Sequence, residues 1–245
     1  MKCVLMCGGF AKRMWPLTLN TPKPLLPIAG RPIIEYILDK LDDVEEVDLI
    51  YISTNKKFER YFKEEMKNFK TKKPVKLIIE PAVKEEEKLG SVGALGFLIK
   101  EEKINDDLLI IAGDNLFDFS LVDFINYYKS KSCPVIALYD MKDKEKVRGR
   151  YGVVLLDKNN KIIGFEEKPN EPKSTFVSTA CYILPKETLK LVLIYLSKNN
   201  PDAFGYFIEW LHKMQDVYGF LFPGRWFDIG SLDSYREADL SYSSS

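Results

Sequence analysis

The chain has 245 residues and a mass of 28.3 kDa, which suits one large α/β domain or a nucleotide-binding core with a small appended region. Hydrophobic residues make up 46%, enough for a sizeable core and outside the disordered range, while Lys+Arg and Asp+Glu balance at 36 each. Zero net charge argues against a nucleic-acid-binding surface, and no apolar run approaches the roughly 20 residues of a membrane span.

Met1-Lys2 leads into the short apolar run Cys3 to Cys7, too short for a signal h-region, so a soluble, cytoplasmic protein is expected. On a strand Cys3 and Cys7 share a face about 13 Å apart, beyond disulfide reach. They read, with Cys133 and Cys181, as ordinary reduced thiols. Residues 2–7 form a buried strand that ends at Gly8-Gly9, followed by a loop carrying Pro16, Pro22, Pro24 and Pro27. Pro32 starts a helix whose face is Ile33, Ile34, Ile37, Leu38 and Leu41. Val47 to Ser53 reads as a second strand, the stripe Phe58, Tyr61, Phe62, Met66 and Phe69 as a helix, and Lys76 to Ile79 as a third strand. A small-residue helix spans 90–100, and Leu108 to Ala112 is a fully apolar strand ending at Gly113-Asp114-Asn115. Ser120 with Asp123 resembles a capping box, and Pro134 to Leu138 is another strand.

From about residue 142 the pattern changes. A β-hairpin spans 153–165, a strand 176–184, and a helix follows Pro185. An amphipathic helix lies near 205–214, a last strand and short helix follow 216, and the tail 241–245 is expected to be disordered. Strand–helix alternation with continuous apolar strands implies an α/β fold, a doubly wound, mostly parallel sheet with a small β-rich lobe. Residues 1–240 are expected as one domain, with a nucleotide-binding core over 1–141 and a sugar-facing half over 142–240. Ligands of such sheets bind outside the carboxyl ends of the strands, where Gly8-Gly9 and Gly113-Asp114 both fall.

A glycine pair after the first strand, followed by cations, suits phosphate binding. The spacing lacks the G-x-G-x-x-G dinucleotide fingerprint, and no Walker loop is present. The longer run, Gly8-Gly9-Phe10-Ala11-Lys12-Arg13-Met14-Trp15-Pro16-Leu17-Thr18 and then Pro22-Lys23-Pro24-Leu25, closely resembles the signature of sugar-1-phosphate nucleotidylyltransferases. Five further segments resemble that family in order. They are Leu89-Gly90-Ser91-Val92-Gly93-Ala94-Leu95, Gly113-Asp114-Asn115, Tyr151-Gly152-Val153, Phe165-Glu166-Glu167-Lys168-Pro169 and Trp226-Phe227-Asp228-Ile229-Gly230.

The resemblance implies a Rossmann-like fold and transfer of a nucleotidyl group from a nucleoside triphosphate to a sugar-1-phosphate, releasing pyrophosphate. It implies Arg13, Lys23, Asp114, Lys168 and Asp228 as catalytic residues, and Gly8, Gly9, Glu85 and Gly90 as further nucleotide contacts. Gly152, Glu167 and Lys168 would hold the sugar phosphate, and Asp114 with Asp228 would hold Mg²⁺. A phosphate monoester has a second pKa near 6 and attacks as a dianion, which suits a chain with a single histidine, His212, read as structural. Position and positive charge are what phosphoryl transfer needs. Two competing readings stay open, a regulatory subunit that keeps the fold without activity and a cytidylyltransferase for a non-sugar phosphate. The retained charged positions weigh against the first, and the Glu167-Lys168-Pro169 and Trp226-x-Asp228 segments against the second.

Three departures from the family pattern matter. Ala11-Lys12 stand where Gly-Thr is usual, and Ser178-Thr179-Ala180-Cys181-Tyr182 replaces Asn-x-Gly-x-Tyr. Glu85 occupies the place, five residues before Gly90, where pyrimidine-using branches carry glutamine, and Glu80-Pro81 is the other candidate for that place. Glucose-1-phosphate with dTTP or UTP, and mannose-1-phosphate with GTP, both remain candidate pairs. The sequence does not fix an oligomeric state, and a homo-oligomer is compatible with it. Within these 245 residues no β-helical domain follows the Trp-x-Asp-Ile-Gly segment, as a short form or a core cut from a longer protein would show alike.

Overall fold

The computed structural model describes residues 1–244. The first strand, β1 (Lys2–Met6), is flanked by parallel neighbours on both sides. A two-residue hairpin, β2 (Pro27–Ile28) and β3 (Arg31–Pro32), then feeds α1 (Ile33–Asp42). Next come β4 (Leu49–Asn55), α2 (Glu59–Glu65), β5 (Val75–Glu80), α3 (Ser91–Glu101), β6 (Leu108–Ala112), β7 (Asn115–Phe117), α4 (Leu121–Lys131) and β8 (Val135–Asp140). The second half holds α5 (Lys144–Val147), β9 (Gly152–Leu156), β10 (Ile162–Glu167), β11 (Phe176–Leu184), α6 (Lys186–Leu196), α7 (Phe204–Leu211), β12 (Tyr218–Leu221), β13 (Trp226–Asp228) and α8 (Leu232–Ser243).

Seven strands lie in the order β5-β4-β1-β6-β11-β8-β12, and only β11 runs against its neighbours. Ala180 sits in the left-handed region (φ 56°) inside an irregularity between Ser178 and Tyr182. That kink lets β11 meet β9 at Val177 and β6 from Cys181 onward. The second half of the chain is therefore woven into the same sheet as the first. Strand alternation sorts the core into two layers. Cys3, Leu5, Leu109, Ile111, Cys181 and Ile183 face α1, α2 and α4, whereas Val4, Leu108, Ile110, Tyr182 and Leu184 face α3, α6 and α7. A third cluster of Met14, Leu26, Ile28, Ile33, Leu116, Ile229 and Ala238 ties the glycine loop to α1 and α8. Cys3, Cys7, Cys133 and Cys181 are free thiols.

Several expected boundaries move. The second strand begins at Leu49 and runs to Asn55, because Asn55 still pairs with Glu80 and caps the turn that follows, accepting from Phe58 N at 3.1 Å. The helix expected from Phe58 to Phe69 stops at Glu65. Ser120 Oγ accepts from Asp123 N at 3.2 Å and caps α4 as expected. Two strands follow residue 216 instead of one, and the closing helix is twelve residues long. The disordered tail expected over 241–245 is corrected for 241–243, which belong to α8; Ser245 lies outside the described residues. Its order is tertiary. Tyr242 packs edge-on against Tyr36, with ring centroids 5.0 Å apart, and Arg225 Nη1 donates to Ser241 Oγ at 2.8 Å. Among the described residues no helix is long and apolar enough to cross a membrane.

Candidate active site

The carboxyl ends of β5, β4, β1 and β6 place Glu80, Ser53, Gly8-Gly9 and Asp114 along one edge of the sheet. Gly113 lets the ends of β1 and β6 close together, since a Cβ there would lie 2.4 Å from Cys7 Sγ. After Gly9 the backbone turns at Ala11, which takes a left-handed conformation (φ 49°). Ala11 O accepts from Met14 N at 2.9 Å and from Thr18 Oγ1 at 2.8 Å, closing a short turn over Lys12–Met14. Met14 anchors that turn in the third core cluster. Arg13 is left facing the crevice, and a Cβ built on Gly230 would stand 3.4 Å from both Arg13 Nη2 and Asp228 Oδ2. Guanidinium and carboxylate therefore both border the bare backbone of Gly230.

Lys23 opens a second short turn, Lys23–Leu25. Its ammonium donates to Ile229 O at 2.6 Å and forms an ion pair with Asp114. Asp114 and Asp228 come together through the small ribbon β7–β13, in which Asp228 lies opposite Asn115. Trp226 Nε1 donates to Asn115 Oδ1 at 2.7 Å, Asn115 Nδ2 to Asp114 Oδ1 at 3.1 Å, and Ile229 N to Asp114 O at 3.2 Å. Burial lifts the Asp228 carboxyl above its usual range, and the neighbouring Asp114 charge lifts it further. Lys23, Arg13 and Lys168 oppose that shift, so all four charged partners lie within electrostatic reach of one aspartate.

On the far side, the β9–β10 hairpin sets Glu167 opposite Gly152. The Glu167 carboxylate is wedged between two glycines: a Cβ on Gly152 would sit 2.9 Å from its Oε2, and one on Gly205 only 1.7 Å away. Burial raises its pKa, which Lys168 partly offsets from 3.7 Å. Lys168 itself is left-handed (φ 48°) and donates its N–H to Tyr151 O at 3.1 Å. Tyr151, Gly152, Glu167 and Gly205 border a pocket of about 300 Å³ whose wall also includes Ser178, Ala180, Tyr182, Phe204 and Arg150. A wider surface depression over Lys56 and over Arg60 and Lys63 of α2 shares none of these residues.

Arg13, Lys23, Asp114 and Lys168 thus all act electrostatically on Asp228, and Asp114, Asp228, Gly152 and Glu167 border one pocket, while Gly8 lies against Glu80. Gly90 starts α3 with φ 75° and packs against the backbone of Pro201, where a Cβ would be 2.4 Å from the carbonyl oxygen. Glu85 lies in a short turn, Glu85–Glu87, with its carboxylate 3.2 Å from Lys88 Nζ. It neighbours Glu86, whose carboxylate lies 3.5 Å from Lys12 Nζ of the glycine loop. Glu80, at the end of β5, has its carboxylate against Gly8. The pocket wall also holds Arg150, Tyr151 and Phe204, which the sequence reading did not assign as site residues. Arg150 and Tyr151 were signalled by their place beside Gly152, whereas Phe204 carried no local signal.

The donor set suits a hard divalent cation. Asp114 and Asp228 offer carboxylate oxygens, their mutual repulsion disfavours two free charges, and no cluster of three metal-binding side chains exists among the described residues. Further ligands would then come from phosphate oxygens and water, as Mg²⁺ prefers.

A twisted α/β sheet with a glycine turn, paired aspartates and convergent cations at its carboxyl edge defines a protein built to hold a nucleotide phosphate chain. Residues 2–245 match the family model described as nucleotidyl transferase, and the chain belongs to that family. It is 31% identical over 242 residues to the bifunctional protein GlmU of Methanocaldococcus jannaschii, covering 98% of this chain and 53% of that protein. A provisionally named mannose-1-phosphate guanyltransferase of Sulfolobus acidocaldarius is 29% identical, with 97% and 62% covered. The chain spans about half the length of the curated relatives it matches. Among solved structures, a provisionally named glucose-1-phosphate thymidylyltransferase from Bacillus anthracis, in complex with a sucrose, superposes with a TM-score of 0.81 at 26% identity, covering 99% and 95%.

Proposed function

We propose that this chain is a sugar-1-phosphate nucleotidylyltransferase, converting a nucleoside triphosphate and a hexose-1-phosphate into a nucleoside-diphosphate sugar and pyrophosphate. The observation that carries the reading is the set of charges around Asp228, contributed by Arg13, Lys23, Asp114 and Lys168 from four separate segments. An oxygen of the sugar phosphate forms a bond to the α-phosphorus, the bond from that phosphorus to the β-phosphate bridging oxygen breaks, and its electron pair leaves with pyrophosphate. The attacker is already anionic, so no side chain has to take a proton.

Each residue then has a task that its position supports. Arg13 neutralises the charge growing on the leaving pyrophosphate, and Lys23 bridges the α-phosphate and the incoming sugar phosphate. Lys168 holds the sugar phosphate, and Glu167 accepts from a sugar hydroxyl. Gly8 and Gly9 keep the loop bare enough for phosphate oxygens to approach. Asp114 and Asp228 would hold Mg²⁺, which supplies charge neutralisation and alignment of the phosphates.

The test is a pyrophosphate-release matrix with Mg²⁺, pairing five nucleoside triphosphates with glucose-, mannose-, galactose- and N-acetylglucosamine-1-phosphate. Release that depends on both substrates is expected. Absence of release with every pair would overturn the assignment.

A further inference from the structure

The pocket beside Asp228 has an uneven wall. It carries three carboxylates, those of Asp114, Glu167 and Asp228, and among the described residues a single cation, Arg150. Arg13, Lys23 and Lys168 do not line it, and the chemistry above gives Arg150 no task. Arg150 is exposed, and among the described residues no carboxylate forms an ion pair with it, whereas Arg148 is paired with Glu145 at 2.8 Å. An exposed arginine without a partner is ordinarily left to water. On the wall of an acidic pocket it is instead the one counter-charge that wall offers to an anionic ligand.

The local chain explains how the residue comes to stand there. Helix α5 ends at Val147, Gly149 turns the backbone through the left-handed region (φ 65°), and Arg150 N donates to Val147 O at 3.0 Å. Two further bonds stitch this turn to the one carrying Lys168: Gly149 N donates to Pro169 O at 2.9 Å, and Lys168 N to Tyr151 O at 3.1 Å. Arg150 and Lys168 therefore occupy adjoining turns at the end of the ladder that sets Gly152 opposite Glu167. Tyr151 packs edge-on against Trp226, with ring centroids 5.3 Å apart, and Trp226 begins the strand that ends in Asp228. The Tyr151 phenol lies within electrostatic reach of Asp228, Arg150 and Arg13 alike. Arg150 thus stands toward the Asp228 end of the pocket.

We infer that Arg150 is a second binding residue for the phosphate of the incoming sugar phosphate, gripping two of its oxygens with the guanidinium fork while Lys168 acts on the same group as a point charge. This rests on the nucleotidyl-transfer reading of the pocket. A neutral hexose gives a guanidinium no counter-charge, whereas a phosphate dianion has to enter among three carboxylates and needs a cation there. A planar fork holds two phosphate oxygens at once, which leaves the third to face the α-phosphorus; an ammonium makes no such choice.

The experiment measures kcat and KM for both substrates in the unaltered protein, Arg150→Gln and Arg150→Lys, using the pair that turns over fastest. Glucose-, mannose-, galactose- and N-acetylglucosamine-1-phosphate are titrated calorimetrically in parallel. Arg150 is exposed, so neither substitution disturbs the core. Arg150→Gln is expected to raise the sugar-phosphate KM about 10-fold or more, the scale of losing a charged hydrogen-bond pair, with the nucleotide KM changed by less than about 2-fold. Arg150→Lys restores the charge without the fork and should regain no more than about 3-fold of that loss. A nucleotide KM that rises as much as the sugar-phosphate KM, a sugar-phosphate KM unmoved by Arg150→Gln, or full recovery in Arg150→Lys overturns the inference. If no pair is turned over, the titrations still decide. A sugar phosphate bound by the unaltered protein and weakened about 10-fold or more in Arg150→Gln supports the inference while the transferase reading fails. Binding that is absent, or indifferent to the substitution, sinks it.

Discussion

The two ends of the crevice are built differently. Around Asp114 and Asp228 the backbone does most of the placing: short turns hold Arg13 and Lys23, Lys23 is pinned to Ile229 O, and the β7–β13 ribbon fixes both aspartates. At the other end, bordered by β9, β10 and β11, the Glu167 carboxylate sits where two missing side chains make room for it, beside a kinked strand and a left-handed lysine. Charge is concentrated at the first and shape at the second. Substitutions at the charged centre should therefore damage turnover itself, while those at the shaped end should damage sugar-phosphate binding.

The largest effect is expected at the centre. Asp228→Asn keeps the shape of a half-buried residue whose raised carboxyl already tolerates a proton, so the fold should survive while turnover falls by at least about 1000-fold. Near-normal kcat in a folded variant would remove Asp228 from the chemistry. Lys23→Ala should cost at least about 100-fold in kcat/KM, the scale of losing one preorganised charge.

At the shaped end, Gly205→Ala puts a Cβ where Glu167 Oε2 now lies, 1.7 Å away. The sugar-phosphate KM should rise about 10-fold or more, with the nucleotide KM changed by less than about 2-fold. Equal changes in both constants would erase the contrast between the two ends.

A smaller effect tests the buried acid beside Gly8, Glu80. The folded-state pKa of Glu80 lies above its unfolded value, so the folded chain binds the extra proton and stability declines as pH rises between the two values. Glu80→Gln removes that dependence. Thermal unfolding should show the variant gaining on the parent as pH is raised from about 4, the ordinary glutamate range, toward neutrality. A gap that narrows instead would contradict the burial argument. The smallest effect is expected at Ala11, whose left-handed backbone glycine adopts freely: Ala11→Gly should stabilise by about 1 kcal/mol in denaturant unfolding.

How much of this was legible beforehand follows the same division. The run Leu108 to Ala112 announces a buried strand because five apolar residues end at Gly113-Asp114, and the structure places β6 there. Arg13 and Lys23 were readable because the loop that carries them is a continuous motif. The antiparallel course of β11 between β6 and β8 was not readable, since an apolar run names no partner. Counting back from Gly90 reached Glu85, whereas strand pairing, which a count does not show, sets Glu80 at the end of β5 against Gly8. The end of α8 was missed because Ser241, Ser243 and Ser244 carry little helix propensity. Contacts from Tyr36 and Arg225 outweigh it.

The central claim is direct attack by an anionic sugar phosphate, with no protein nucleophile between. The buried thiol nearest the centre, Cys7, is pushed well above its usual pKa and is unsuited to that role. Turnover of a nucleoside triphosphate carrying a single α-thio diastereomer, with the configuration of the product read by phosphorus NMR, tests it most directly. Inversion at the α-phosphorus is the predicted result, and retention, the mark of two successive displacements through the protein, would contradict it.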